Sequence, residues 1–225
     1  MNILAISDIH ERSSKLSILK SKLGEKEFKP DVVVVAGDLT YFKSVDVALR
    51  IARRVGEVFE AKVVFVPGNC DPPELISVKE VGGEIINIHS SLIKIDKYVF
   101  AGIGGSGITP FNTMIEFTEE EFKDMIENIY LSTNRLEEKL ILVTHQPING
   151  FFDDVGGVNA GSRIFREYLE RINPLLWITG HIHENSGWVR VGDTIIVHPG
   201  PLMKGYFAVI KLRDNYVEYI EVGGI

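Results

Sequence analysis

The sequence predicts an α/β (α+β) fold, a four-layer sandwich of two mixed β-sheets packed face to face and flanked by helices. Three observations lead there. The first half alternates short Val- and Ile-rich runs with amphipathic helical patterns, the C-terminal part reads as a meander of strands, and polar residues with chemical potential cluster where the apolar runs stop.

Asn2 to Ser7, Asp31 to Ala36 and Lys62 to Val66 are apolar runs of strand length, as buried strands require. Between them, Ser13 or Ser14 can cap a helix that carries Leu16, Leu19 and Leu23 on one face and closes at Gly24. Ser44 precedes Val45, Ala48, Leu49, Ala52 and Val55, again spaced for one helix face. Glu84 to Ile95 and Tyr98 to Ile103 read as paired strands around an Asp96-Lys97 turn. A Gly-rich loop follows, then a helix from Thr118, where Thr118 and Glu121 make a capping-box pattern. Leu140 to Thr144 is a strand, Ser162 to Ile172 a helix and Leu175 to Thr179 a strand. The meander comprises Trp188 to Val191, Thr194 to His198, Tyr206 to Leu212 and Tyr216 to Val222, with turns at Gly192-Asp193 and Asp214-Asn215.

With 225 residues, 45% of them hydrophobic, and no linker composition or internal repeat, one domain over residues 1–225 is expected. Apolar stretches such as Val32 to Ala36 fall far short of the about 20 residues that span a bilayer, so no membrane association is expected. No secretory leader is visible after Met1, which gives a cytoplasmic expectation. Cys70 is the single cysteine, so no intrachain disulfide can form. The net charge of −7 and the scattered 24 Lys and Arg lack the basic stripe of a nucleic-acid binder. A small phosphate-containing substrate stays open, because bound cations reverse the local potential.

Asp8, Asp38, Asn69, His145 and His181 each stand at or just after a strand end, the edge of an α/β sheet where ligand sites collect. In Asp8-Ile9-His10 and His181-Ile182-His183, continued strand geometry puts the two polar side chains on one side and the Ile on the other. Carboxylate and imidazole without a thiolate cluster suit a divalent Mn, Fe, Ni or Zn ion. Either tripeptide alone reads more readily as a surface turn or a cap than as a pair of metal ligands. Together with Gly37-Asp38 and Gly68-Asn69, they supply the mixture of one shared anion and several neutral ligands that two cations roughly 4 Å apart require.

In these motifs the chain resembles the calcineurin-like metallophosphoesterases: Asp8-Ile9-His10, Gly37-Asp38, Gly68-Asn69-Cys70-Asp71, Val143-Thr144-His145 and Gly180-His181-Ile182-His183. The resemblance implies dinuclear-metal-dependent hydrolysis of phosphate esters, phosphodiesters before monoesters, by attack of a metal-bridging hydroxide. It implies that Asp8, His10 and His183 hold one metal, that Asn69, His145 and His181 hold the other, and that Asp38 bridges them. Cys70 stands where the family usually has a His that serves the leaving group. A thiol is a weak donor whose thiolate adjacent cations favour, so Cys70 is either a catalytic or substrate-contacting residue or a passive small one. The resemblance also leaves an alternative, a non-catalytic metal-binding scaffold for protein contacts.

Six other features remain. Asp71 contacts substrate, orients Cys70 or an imidazole, or caps the turn before Pro72-Pro73. Arg12 is a phosphate contact or a plain helix-start residue, and His198, before Pro199-Gly200-Pro201, a substrate contact or a turn stabiliser. The run Gly102 to Gly107 has dinucleotide-fingerprint spacing but is followed by Thr109-Pro110 instead of a helix, so only a site-bordering loop is expected. Phe151 to Gly161 is a long loop, a lid or a homo-oligomer contact. His89, without a partner motif, is expected to be structural.

Overall fold

The structure, a computed structural model, describes residues 1–134 and 136–225. The elements run β1 (Asn2–Ile6), α1 (Ser14–Glu25), β2 (Val32–Ala36), α2 (Val45–Phe59), β3 (Lys62–Val66), β4 (Ile85–Asn87), β5 (Ser91–Ile95), β6 (Tyr98–Ile103), β7 (Ser106–Gly107), β8 (Glu116–Phe117), α3 (Glu119–Thr133) and β9 (Lys139–Thr144). They continue with β10 (Asp154–Val155), β11 (Val158–Asn159), α4 (Arg163–Ile172), β12 (Leu176–Ile178), β13 (Gly187–Val191), β14 (Thr194–His198), β15 (Tyr206–Arg213) and β16 (Tyr216–Gly224). Two six-stranded mixed sheets form, in the orders β16-β15-β1-β2-β3-β4 and β13-β14-β12-β9-β6-β5. In the first, β1 to β4 are parallel; in the second, β6, β9, β12 and β14 are.

Strand alternation sorts the side chains into layers. Ile3, Ala5, Val32, Val34 and Val64 meet Phe100, Ile141, Val143, Leu176 and Ile178 between the sheets. On the opposite face of the first sheet, Leu4, Ile6, Val33 and Val35 pack on α1 and α2. Ala101, Leu142, Trp177 and Ile196 pack on α3 and α4. The expected four-layer sandwich is therefore the observed architecture. Among the described residues no helix is long and apolar enough to cross a membrane.

Local chemistry explains where the helices begin and end. Thr118 and Glu121 form the expected capping box, and Ser162 Oγ accepts the Phe165 amide. Ser13 and Ser44 start their helices without a side-chain cap bond. Gly24 does not close α1, which runs to Glu25 before Glu27 turns at φ 52°. Burial of Leu16, Leu19 and Leu23, each contributing about 1.5–3 kcal/mol, outweighs the roughly 1 kcal/mol that a helical Gly costs.

One expected strand is two. Residues 84–95 divide into β4, parallel to β3 in the first sheet, and β5, antiparallel to β6 in the second. Buried Asn87 makes the break: its amide donates to the Leu75 and Val78 carbonyls, its oxygen accepts the His89 N–H, and Ser90 turns at φ 48°. The loop after His145 is also more ordered than its length suggested. β10 and β11 pair across Gly156-Gly157, both at positive φ, and buried Asp153 ties the base through the Gly150 and Gly161 amides and the Asn159 side chain.

Candidate metal centre

β1, β2, β3, β9 and β12 present their C-terminal ends to one edge, and the expected residues follow those ends. The way the side chains converge differs from simple strand alternation. Asp8, His10, Asp38 and His181 all lie at positive φ, 52°, 43°, 51° and 77°, so the chain coils instead of continuing extended. Each such residue costs about 1 kcal/mol or more and needs its surroundings to hold it. Here the loops interlock: the Asp8 amide donates to the Gly37 carbonyl at 3.1 Å, and the Ile9 and His10 amides share the Asp38 carbonyl at 2.8 and 3.1 Å. Ile9 and Ile182 do turn away, as expected, into buried positions.

Asp8, His10, Asp38 and His183 each offer a ligand atom, and all of these atoms lie within 4.8 Å of one another. His10 Nε2 is 3.3 Å from His183 Nε2, which is 3.2 Å from Asp8 Oδ1. His10 Nδ1 faces the Thr40 carbonyl at 3.3 Å and His145 Nδ1 the Ala36 carbonyl at 2.8 Å. A carbonyl only accepts, so each Nδ1 carries a proton, and each Nε2 is the nitrogen that points inward, where a cation would take the place of a proton. His145 Nε2 meets Asn69 Oδ1 at 2.9 Å, and the His181 ring lies edge-on to His145 with centroids 5.0 Å apart. Asp38 Oδ2 stands between the two groups, 3.5 Å from His10 Nε2 and 3.6 Å from His145 Nε2. All seven expected ligand residues are thus gathered at one edge. That donor set fits cations of borderline hardness.

The electrostatics agree. Burial would raise the carboxyls of Asp8 and Asp38, yet the imidazoles hold both below the usual range: His183 and His145 act on Asp8, His145 on Asp38. Burial works against a charged His145, but Asp38 and then Asp8 push it up to about 9. Burial and the neighbouring His145 lower His181 to about 4. The edge is a nest of anions that attracts positive charge.

Glycine is required at two close approaches. A Cβ on Gly37, which sits at φ 90°, would overlap the His145 ring, and one on Gly68 would overlap the Asp38 carboxylate and amide.

The remaining expected residues sort differently. Asp71 is fully buried and is no substrate contact: Oδ1 accepts from Thr40 N at 2.8 Å and Thr40 Oγ1 at 2.9 Å, while Oδ2 accepts from Leu39 N at 3.1 Å and Gly68 N at 2.8 Å. It fastens the Asp38 loop to the Asn69 loop. Burial, then the charge of Asp38, pushes it up to about 7 against those bonds. His198 is also fully buried, with Nδ1 accepting from Gly200 N and Nε2 donating to the Gly180 carbonyl, so no ring nitrogen is left for substrate. Cys70 donates its amide to Asp38 Oδ1 at 2.9 Å, and burial and then Asp38 push its thiol up. Arg12 is exposed and lines a pocket of ≈ 530 Å³ with His10, Glu11, Tyr41, His183 and Met203. The Gly-rich loop packs on the segments that lead into Asn69 and out of His145: the Gly105 amide donates to the Pro67 carbonyl at 2.9 Å and the Gly107 amide to Gln146 Oε1 at 2.9 Å. His89 is structural, its Nδ1 accepting the Gly104 amide.

Sequence reasoning missed the Ala36 and Thr40 carbonyls, Glu11, Tyr41 and Met203. Thr40 and Tyr41 are signalled only by their nearness to Gly37-Asp38, and nothing in the local sequence marks Met203.

The calcineurin-like phosphoesterase family model matches residues 1–185. An uncharacterized protein of Methanocaldococcus jannaschii is 35% identical over 233 residues, covering 100% of this chain and 98% of that protein. In fold, the chain is similar to a crystal structure from Thermus thermophilus, with TM-score 0.73, 19% identity and coverage of 99% and 98%. It is likewise similar to a dimetal phosphatase from Danio rerio, with TM-score 0.65, 12% identity and coverage of 100% and 95%. The motifs, the two-sheet architecture and the family match agree: the chain belongs to the calcineurin-like phosphoesterase family.

Proposed function

We propose that this chain hydrolyses phosphate esters, phosphodiesters before monoesters, using two divalent cations drawn from Mn, Fe, Ni or Zn. In this reading Asp8, His10 and His183 hold one cation, Asn69, His145 and His181 hold the other, and Asp38 is shared. The observation that carries it is the position of Asp38 Oδ2, 3.5 Å from His10 Nε2 and 3.6 Å from His145 Nε2. The Danio rerio neighbour, a dimetal phosphatase, supports a pair of cations.

Divalent cations, when bound, supply Lewis-acid polarisation of a phosphoryl oxygen and a lowered pKa for water. The residues supply the frame. The Ala36 and Thr40 carbonyls fix the His145 and His10 rings with Nε2 inward. The Asp71 clamp keeps Asp38 and Asn69 at one spacing, and Arg12 lines the wall of the adjoining pocket. The diester preference rests on two features. Cys70 is a weak proton donor to a leaving group. Among the described residues lining the pocket, Arg12 is the one Lys or Arg, a modest provision for a monoester dianion.

The test is turnover of bis-p-nitrophenyl phosphate and p-nitrophenyl phosphate by chelator-stripped protein titrated with Mn²⁺, beside Asp38→Asn. Metal-dependent hydrolysis, faster for the diester and reduced at least about 100-fold in a folded Asp38→Asn, supports the reading. No turnover of either ester by protein that has taken up two cations would overturn it in favour of a binding scaffold.

A further inference from the structure

Resting on that reading of the metal site, we infer that the pocket beside His10 and His183 receives the organic part of the substrate, and that this part is a planar ring linked to a second anionic group, as in a nucleotide carrying more than one phosphate. The pocket shares a wall with the candidate metal centre, because His10 and His183 line both. A phosphoryl group held at those imidazoles therefore has its substituent directed into it. At ≈ 530 Å³ the cavity lies in the range of small-molecule sites and is larger than a phosphoryl group alone requires.

Its lining separates into two recognition elements. Tyr41 is 56% exposed, yet it is held in place. Its amide donates to Glu11 at 2.9 Å, and its ring stands edge-on between His10, 5.4 Å away, and Phe42, 4.7 Å away. An aromatic ring kept rigid and open to solvent is a stacking platform. Met203 lines the same space, seated by its N–H, which donates to the Asp8 carbonyl at 3.0 Å, and a polarisable thioether suits a ring edge.

The second element is Arg12. Its amide closes a turn onto the Ile9 carbonyl at 2.9 Å, which fixes where the side chain leaves the backbone. Glu11 already serves Tyr41, and Lys204, the nearby cation, already donates to the His183 carbonyl. Among the described residues no carboxylate pairs with Arg12, so its guanidinium can hold an anion displaced from the reacting phosphate. The ring and the second charge are thus read by different side chains and can be tested apart.

The experiment is calorimetric binding of inorganic phosphate, adenosine 5′-monophosphate and adenosine 5′-(α,β-methylene)diphosphate to the manganese-loaded protein, Tyr41→Ala and Arg12→Gln. The expected order of affinity is diphosphate, then monophosphate, then inorganic phosphate, each step about tenfold. Tyr41→Ala removes the gain of monophosphate over inorganic phosphate, Arg12→Gln removes the gain of diphosphate over monophosphate, and neither alters manganese content. Three equal affinities in the wild type, or equal weakening of all three ligands in a variant, overturn the inference while leaving the metal site standing. Absence of both manganese uptake and phosphate binding overturns the metal-site reading and this inference together.

Discussion

Replacing Asp71 by Asn separates a buried clamp from a substrate contact. The wild-type carboxylate satisfies four donors, two on each oxygen. In the amide, one oxygen keeps the Thr40 amide and hydroxyl, while the new NH₂ faces the Leu39 and Gly68 N–H groups, donor against donor. Each buried donor left without an acceptor costs about 1–3 kcal/mol, so the loss is about 2–6 kcal/mol. Removing a negative charge beside Asp38 offsets part of this, because Asp38 is a main reason that Asp71 is pushed up to about 7. The expected net effect is about 2–4 kcal/mol, measured by urea unfolding of metal-free protein at pH 7.5, together with a roughly tenfold or larger loss of manganese affinity. Thr40→Val, which removes only the hydroxyl donor, serves as control and costs about 1 kcal/mol. Were Asp71→Asn as stable as wild type but altered in KM alone, the clamp argument would be wrong and Asp71 would be a substrate contact after all.

Three further outcomes follow from the same geometry. Gly68→Ala places a Cβ on the Asp38 carboxylate and backbone, so it lowers stability by about 1–3 kcal/mol and abolishes stoichiometric metal uptake; a variant matching wild type in both would refute the close approach. Removal of bound cations by a chelator lowers Tm by about 5–10 °C, since ligand at 100 times its Kd contributes about 2.7 kcal/mol and one kcal/mol is worth about 2–4 °C at this length; an unchanged Tm in protein shown to lose metal counts against a folded-state metal site. His89, 5% exposed, is held at about 4 by burial and then Lys79, below its unfolded value of 6.5. The unfolded chain therefore binds that proton first, so stability falls as pH drops from 6.5 toward 4, by up to about 3 kcal/mol, and His89→Gln shows a correspondingly smaller loss between pH 7 and 4.5.

Much of the fold was legible because local patterns agree with it. The Val-rich run at Val32–Ala36 is buried on both faces as a central parallel strand, and Thr118 with Glu121 caps α3 as its spacing says. The convergence of the candidate ligand residues was legible because they stand beside strand ends whose C-terminal edges share one side. What remained hidden depends on partners far away in sequence. Asn87 breaks a continuous apolar run only because the Leu75 and Val78 carbonyls are within reach of its amide. Asp8, His10 and Asp38 leave the extended conformation only because their loops exchange backbone hydrogen bonds. The clamp role of Asp71 was hidden behind its place before Pro72-Pro73, because three of its four donors belong to residues 39 and 40.

The bond from His145 Nδ1 to the Ala36 carbonyl spans 109 residues of sequence, and the pair His183–Asp8 spans 175. Each joins the tip of a strand in one sheet to the tip of a strand in the other. The metal centre is therefore a rivet through the seam of the sandwich, and it can assemble only after both sheets have docked, a late event for contacts this distant in the chain. Backbone amides of β1, β2, β9 and β12 should accordingly share one opening free energy, rising together when cations are added, so that slowed hydrogen exchange deep between the sheets reports an ion bound at their rim.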